Sequence, residues 1–246
     1  MFWKNKQKCP IIEEDKEWIE YQLNWINLNV VMLVEQQTIL PTKKFFNWNF
    51  KGGEEDAEFV LRKVGEYCNV NVDNINLEFY SEESIELDRG TFTQQEEGTG
   101  TAGLYVQEGD QFSILIEVRQ LKRPNSLIST IVHELCHYVL IGQKDFLLEG
   151  EENEWLTDVL AIAYGFGIFI GNTKFEFSQW QSGDGWGGWQ YSIQGYLPQQ
   201  ITAYVMAEIE IRRTQSLPKW VNLLKGNFQK DFEKSMNYLK IINDIE

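Results

Sequence analysis

Two histidines and a glutamate stand at a spacing that can hold a metal ion. The segment His133-Glu134-Leu135-Cys136-His137 contains both histidines of the 246-residue chain, four positions apart. Two randomly placed histidines would form this His-Glu-x-x-His pattern roughly once in a thousand sequences, so the match is specific. Residues four apart on a helix share one face about one turn apart, so both imidazoles can reach one metal ion.

The donor types favour zinc. Zn²⁺ accepts imidazole and carboxylate ligands in a tetrahedral site that can keep one position open. A zinc ion lowers the pKa of its bound water toward neutrality, and Glu134 lies where it can take a proton from that water and pass it to a leaving group. The alternative is a pair of buried core histidines, but each desolvated polar group would then need its own partner.

The third ligand has to come from outside the motif, because the chain has no other histidine. The extended motif with a third histidine is excluded, since Leu140 and Gln143 occupy the positions of its glycine and histidine. The segment 149–158 is rich in carboxylates and starts the next predicted helix. Within it, Asn153-Glu154 is followed four residues later by Asp158.

These residues resemble the Asn-Glu-x-x-x-Asp pattern of the gluzincin zinc metallopeptidases, the thermolysin-like group. The resemblance implies that Glu154 is the third zinc ligand and that Asp158 supports the imidazole of His133. Glu154 and Asp158 share a helix face, and the chain after His137 is long enough to turn back as a helical hairpin. Acidic residues also favour helix N-termini without any metal, and Asp158 or Glu151 remain alternatives as the ligand.

The resemblance covers about residues 124–170 and the preceding strand, and it implies a zincin-like fold. In that fold the strand before the active-site helix lies along the cleft, so Phe112–Val118 is expected to pair with an extended substrate. The chain also resembles an uncharacterised bacterial branch that carries His-Glu-x-x-His, through the segments 157–167 and 195–197.

One feature of the gluzincins is missing. That family uses a downstream histidine to stabilise the oxyanion, and this chain has none. Tyr191, Tyr196, Tyr204 and Arg212 are the candidates to replace it, and the sequence does not choose among them. The long loop 176–191, rich in tryptophan and glycine, is either a lid or a surface loop pinned by its tryptophans. Cys136 is expected to be a small core residue.

Hydrophobic periodicity predicts the elements that position these residues. Helices are expected at 13–34, 54–68, 124–141, 152–169, 198–213 and 220–242, and strands at 75–79, 104–106 and 112–118. The order predicts an α+β protein with a small, mostly antiparallel sheet, followed by an active-site helix and a helical C-terminal half. A single domain, 1–246, is expected, with a possible soft division into 1–97 and 98–246.

Composition limits the classes of binding partner and the cellular compartment. The net charge of −15 argues against nucleic acid or anionic lipid as a partner. The longest apolar run, Val159–Ile170, is too short to span a bilayer, so no membrane insertion is expected. The start of the chain lacks the apolar region of a signal peptide, and the three cysteines have no metal-finger spacing. A reduced, cytoplasmic protein is therefore predicted.

The sequence as a whole predicts a zinc-dependent hydrolase, a metallopeptidase that uses a zinc-bound water activated by Glu134 on a peptide or protein substrate. The alternative is a catalytically impaired zincin-fold protein that binds a ligand or regulates a partner. The missing oxyanion histidine and the aromatic content of 14% favour this second hypothesis.

Overall fold

The computed structural model of the chain describes residues 8–81, 103–108, 111–173, 197–214 and 216–243. These residues form two units. The helical unit consists of residues 8–40, 154–173, 197–214 and 216–243, and the sheet unit consists of residues 41–81, 103–108 and 111–153. The chain is α+β and mostly helical, as predicted. The expected single domain with a soft division after residue 97 stays a prediction.

The sheet unit contains a three-stranded mixed sheet. Its order is β1-β3-β2, where β1 is Ile75–Tyr80, β2 is Gly103–Glu108 and β3 is Gln111–Glu117. β2 and β3 pair antiparallel, with Glu108 opposite Gln111, because the two-residue connection between them permits only a hairpin. β1 pairs parallel with β3, starting with Ile75 opposite Phe112.

The prediction of a mostly antiparallel sheet is therefore wrong for one of the two strand pairings. A parallel pair needs a connection of a dozen or more residues, and the chain between Tyr80 and Gln111 is long enough to provide one. The expectation that Phe112–Val118 pairs with a substrate is also wrong. β3 is the central strand, so β1 and β2 already occupy both of its edges, and Val118 belongs to the 3-10 turn Val118–Lys122 that follows.

Two helices complete the sheet unit, and they pack against each other: α2 (Glu54–Cys68) and α3 (Pro124–His137). α3 begins at Pro124, where the missing N–H of proline costs nothing because first-turn N–H groups have no partner within the helix. The apolar face of α3 is fully buried, for example at Leu127, Ile131 and Leu135. Its α-helical part ends at His137, earlier than predicted, and continues as the π-helical turn Tyr138–Gln143.

The helical unit is built from four helices: α1 (Glu13–Asn29), α4 (Glu151–Ala161), α5 (Gln199–Arg213) and α6 (Gly226–Ile242). Residues of α4 from 154 onward belong to this unit. α4 continues through the π-helical turn Ile162–Phe166 and then as a helix to Thr173. The predicted helices 152–169 and 198–213 are therefore confirmed, with shifted ends.

The extended α4 helix is packed so closely that glycine is required in it. Gly165 has φ +100 and accepts a hydrogen bond from the backbone N–H of Ile39 at 2.9 Å. A Cβ at Gly165 would collide with the carbonyl oxygen of Gln37. A Cβ at Gly167 would lie 2.8 Å from the side chain of Met206.

The same π-helical turn is held by a buried ion pair. Arg213 donates from Nη1 to Glu210 at 3.3 Å, and their side chains are 8% and 6% exposed. Arg213 also donates from Nε to the carbonyl of Leu33 at 2.8 Å and from Nη2 to the carbonyl of Ala163 at 3.2 Å. One guanidinium therefore ties α5 to α4 and to the segment that follows α1.

The helix Glu151–Thr173 is long and apolar enough to cross a membrane, and 94% of its most apolar window is buried within the protein. It is longer than the run Val159–Ile170 predicted from sequence, because the polar first turn of α4 and the residues after Ile170 extend it. Such burial is typical of the core helix of a soluble protein.

Candidate metal centre

α3 brings the two histidines of the motif together. His133 and His137 lie one turn apart on the helix and are 3% and 8% exposed. Their ring centroids are 4.8 Å apart with the planes at 80°, and their Nε2 atoms are 3.2 Å apart. The rings therefore converge at their Nε2 ends.

This separation fits two ligands of one metal ion. Two nitrogens bound at about 2.0–2.1 Å to a tetrahedral zinc ion lie about 3.3 Å apart, close to the 3.2 Å between these Nε2 atoms. The same distance also permits one imidazole to donate a hydrogen bond to the other, with a tautomer for each ring to match. Coordination through Nε2 would leave the Nδ1–H of each ring to a hydrogen-bond acceptor.

Glu154 supplies the third donor. It is half-buried in the first turn of α4, and its ligand oxygen and one ring nitrogen from each histidine all lie within 4.8 Å of one another. Within the described part of the chain, these three residues form the one cluster of potential metal ligands. Two nitrogens and one oxygen suit zinc with a fourth position free, so the donor set fits the predicted cofactor.

The two alternative ligands, Glu151 and Asp158, differ in burial. Glu151 is exposed, at the first residue of α4. Asp158 is fully buried, and its Oδ2 accepts a hydrogen bond from the backbone N–H of Leu197 at 3.0 Å. Neither belongs to the ligand cluster. Sequence patterns could not reveal the Leu197 contact, because the partners are 39 residues apart.

The role of Asp158 toward His133 stays a prediction. Asp158 lies one turn after Glu154 on α4, so both carboxylates share a helix face. A buried carboxylate needs several hydrogen bonds, and the N–H of Leu197 supplies one of them.

Glu134 and Cys136 are also buried on α3. Glu134 is 4% exposed, directly after His133, and a carboxylate there is shielded from bulk water. Cys136 is fully buried and lies outside the ligand cluster, as expected of a small core residue. The catalytic role of Glu134 stays a prediction.

A change in helical geometry follows His137 directly. The π-helical turn begins at Tyr138, whose ring packs edge to face on Phe112 of β3 with centroids 4.8 Å apart. π-Helical turns are rare and occur often at functional sites. Sequence periodicity did not reveal this turn, because the apolar pattern of a π-helical turn resembles that of a continuing α-helix.

Two of the four oxyanion candidates lie within the described residues, and both have contacts elsewhere. Tyr204 is fully buried, and its pKa is raised by burial and then by Glu208 and Cys9 nearby. Arg212 donates from Nε to Glu208 and from Nη1 to Asn24, each at 3.1 Å. Cys9, Asn24 and Glu208 all belong to the helical unit, and none of them is part of the ligand cluster.

The other candidates, Tyr191 and Tyr196, lie outside the described residues, as does the loop 176–191. No known protein family, curated protein or solved structure matches the chain. The gluzincin resemblance therefore rests on the motif residues alone, and the zincin-like fold stays a prediction.

Proposed function

We propose that the chain is a zinc-dependent hydrolase, and specifically a metallopeptidase of zincin-like fold. The observation that carries the proposal is the convergence of His133, His137 and Glu154 within 4.8 Å. Two of these residues come from one helix turn and the third from the next helix, as the sequence pattern requires. Two imidazoles and a carboxylate this close together can act as ligands of one shared cation.

The chain's own residues have distinct tasks in this proposal. His133, His137 and Glu154 would hold the ion. When bound, the ion would act as a Lewis acid and lower the pKa of water toward neutrality. Glu134 accepts a proton from the attacking water on its carboxylate and returns it to the leaving amine. Asp158 accepts the Nδ1–H of His133 and so fixes its ring, while the buried setting of Glu134 keeps bulk water away.

The proposed substrate is a peptide or protein, because the residues of the site resemble the pattern of zinc metallopeptidases. The net charge of −15 opposes nucleic acid as a partner. We propose a cytoplasmic location from the reduced cysteines, Cys9, Cys68 and Cys136.

A second function has its own support. Tyr204 packs against Tyr238, and Arg212 bonds to Glu208, both within the helical unit. The chain has only two histidines. A zincin-fold protein that binds its ligand without cleaving it would need the metal residues and no oxyanion donor. The two functions differ in whether Glu134 serves chemistry.

The deciding experiment combines metal analysis with peptide cleavage. Protein purified without chelators should contain about one zinc per chain, with anomalous density at the zinc edge among His133, His137 and Glu154. Mixed peptide libraries should be cleaved, and Glu134→Gln should retain zinc but lose cleavage. Glu152→Gln, at an exposed position of α4, is the matched control and should cleave normally. Protein without zinc contradicts both functions, whereas zinc without cleavage favours the binding function.

A further inference from the structure

Two polar atoms on one face of α1 are buried without a hydrogen-bond partner. These are the indole Nε1 of Trp18 and the side-chain oxygen Oε1 of Gln22. Gln22 is only 3% exposed. Leaving a buried donor or acceptor unpaired costs stability. Two such atoms on neighbouring turns therefore point to a third group that pairs with both.

The two atoms are complementary in type. The indole N–H of Trp18 can only donate, and the carboxamide oxygen of Gln22 can only accept. Trp18 and Gln22 are four residues apart on α1, so their side chains are neighbours on the helix surface, yet they do not bond to each other. A group with one acceptor and one donor close together satisfies both atoms, and an amide has this combination.

A second indole ring packs against Trp18. Trp18 packs edge to face on Trp155 of α4, with centroids 5.8 Å apart and the planes at 86°. Both tryptophans are partly exposed, so the pair lies at the edge of the protein interior rather than deep within it. Apolar walls with a few placed polar groups are typical of small ligand sites. Trp155 directly follows Glu154 in the chain.

We propose that Trp18, Gln22 and Trp155 form a subsite for an amide group, either a carboxamide side chain or a peptide group. Trp155 is the neighbour in sequence of the proposed metal ligand Glu154, so the subsite deepens the proposed peptidase function and rests on it. The amide carbonyl accepts from the indole N–H, and the amide N–H donates to Oε1 of Gln22. A carboxylate of the same shape has no proton for Gln22, so the subsite selects amides over acids.

The test uses small probes and indole NMR. In ¹⁵N-labelled protein, Trp18→Phe identifies the Trp18 indole signal. Propionamide mimics a carboxamide side chain, N-methylacetamide mimics a peptide group, and propionate is the matched acid. We expect a saturable shift of the Trp18 indole signal with at least one amide. The amide that binds more tightly shows whether the subsite takes a carboxamide side chain or a peptide group. Propionate should cause no saturable shift.

Variants separate recognition from folding. Gln22→Met keeps the length of the side chain and should weaken amide binding about tenfold, as the loss of one hydrogen bond implies. The wild-type comparison of amide with acid decides the question even if this variant does not fold. Absence of a saturable amide shift, an equal response to propionate, or unchanged affinity in folded Gln22→Met would overturn the proposal and leave a buried water as the partner of both atoms.

The proposed amide binding does not require the metal ion. Amide binding should persist in metal-free protein and in Glu154→Ala, because no metal ligand belongs to the subsite. Amide binding without zinc binding contradicts the proposed function alone, and zinc-dependent cleavage without amide binding contradicts the subsite alone.

Discussion

The Nε2 atoms of His133 and His137 lie 3.2 Å apart, although their residues are a full helical turn apart. Neighbouring side chains on a helix begin about 5–6 Å apart at their Cβ atoms, so the rings have to lean toward each other to reach this separation. An oxygen of Glu154 approaches the same region within 4.8 Å. The three side chains are thus arranged around a common point.

Replacing any one of the three ligands by alanine should abolish tight zinc binding. Two donors hold an ion much less tightly than three, and we expect losses greater than the roughly 10–100-fold that follows from removing a supporting residue. Competition with a chromophoric zinc chelator measures the affinity of His133→Ala, His137→Ala and Glu154→Ala. The control is Glu152→Ala, at an exposed position on the same helix as Glu154.

Zinc should also stabilise the wild-type chain, and it should stabilise none of the three ligand variants. An ion that binds only the folded state adds about 2.7 kcal/mol when its free concentration is 100 times Kd. Thermal unfolding with and without zinc gives this difference. Equal stabilisation of the wild type and His133→Ala would mean that the ion binds elsewhere.

Asp158→Asn should weaken zinc binding about 10–100-fold. The substitution retains an oxygen for the N–H of Leu197, so that contact survives, but it removes the charge that would support the His133 imidazole in the proposed site. Zinc affinity and urea unfolding are measured together. Reduced stability with unchanged zinc affinity would show that Asp158 serves only to hold Leu197. Asp73→Asn, at an exposed position, should change neither quantity.

Gly165→Ala should destabilise the helical unit by about 2–4 kcal/mol, from backbone strain and steric collision together. Gly165 has φ +100, and its Cβ would meet the carbonyl oxygen of Gln37. Gly150 is the matched control, because it has φ +57 with nothing within 4 Å of a Cβ. Gly150→Ala should therefore report the backbone strain alone, about 1–2 kcal/mol. Equal losses by urea unfolding would contradict the predicted collision.

The sequence predicted those features that depend on neighbours along the chain. The spacing of His133 and His137 defined the ligand pair, and the carboxylate pattern led to Glu154, because one helix turn converts spacing directly into geometry. Strand order was not predictable, since alternation shows which residues form β3 and not which strands flank it. The π-helical turns were missed for a similar reason: one extra residue per turn leaves the apolar pattern almost unchanged.

Contacts between segments distant in sequence were not predictable either, and those of Arg213 can be tested by mutation. Its guanidinium pairs with Glu210 and reaches carbonyls on Leu33 and Ala163, which are 180 and 50 residues away. Arg213→Met should cost about 3–5 kcal/mol, because it leaves Glu210 buried without its cationic partner. The loss is measured by urea unfolding.

The double variant Arg213→Met and Glu210→Met should recover part of that loss, since it removes the unpaired charge as well. It should not recover all of it, because the carbonyls of Leu33 and Ala163 lose their donor in both variants. Additive losses would show that the two side chains stabilise the fold separately. In that case the π-helical turn of α4 would depend on the carbonyl contacts of Arg213 rather than on its ion pair.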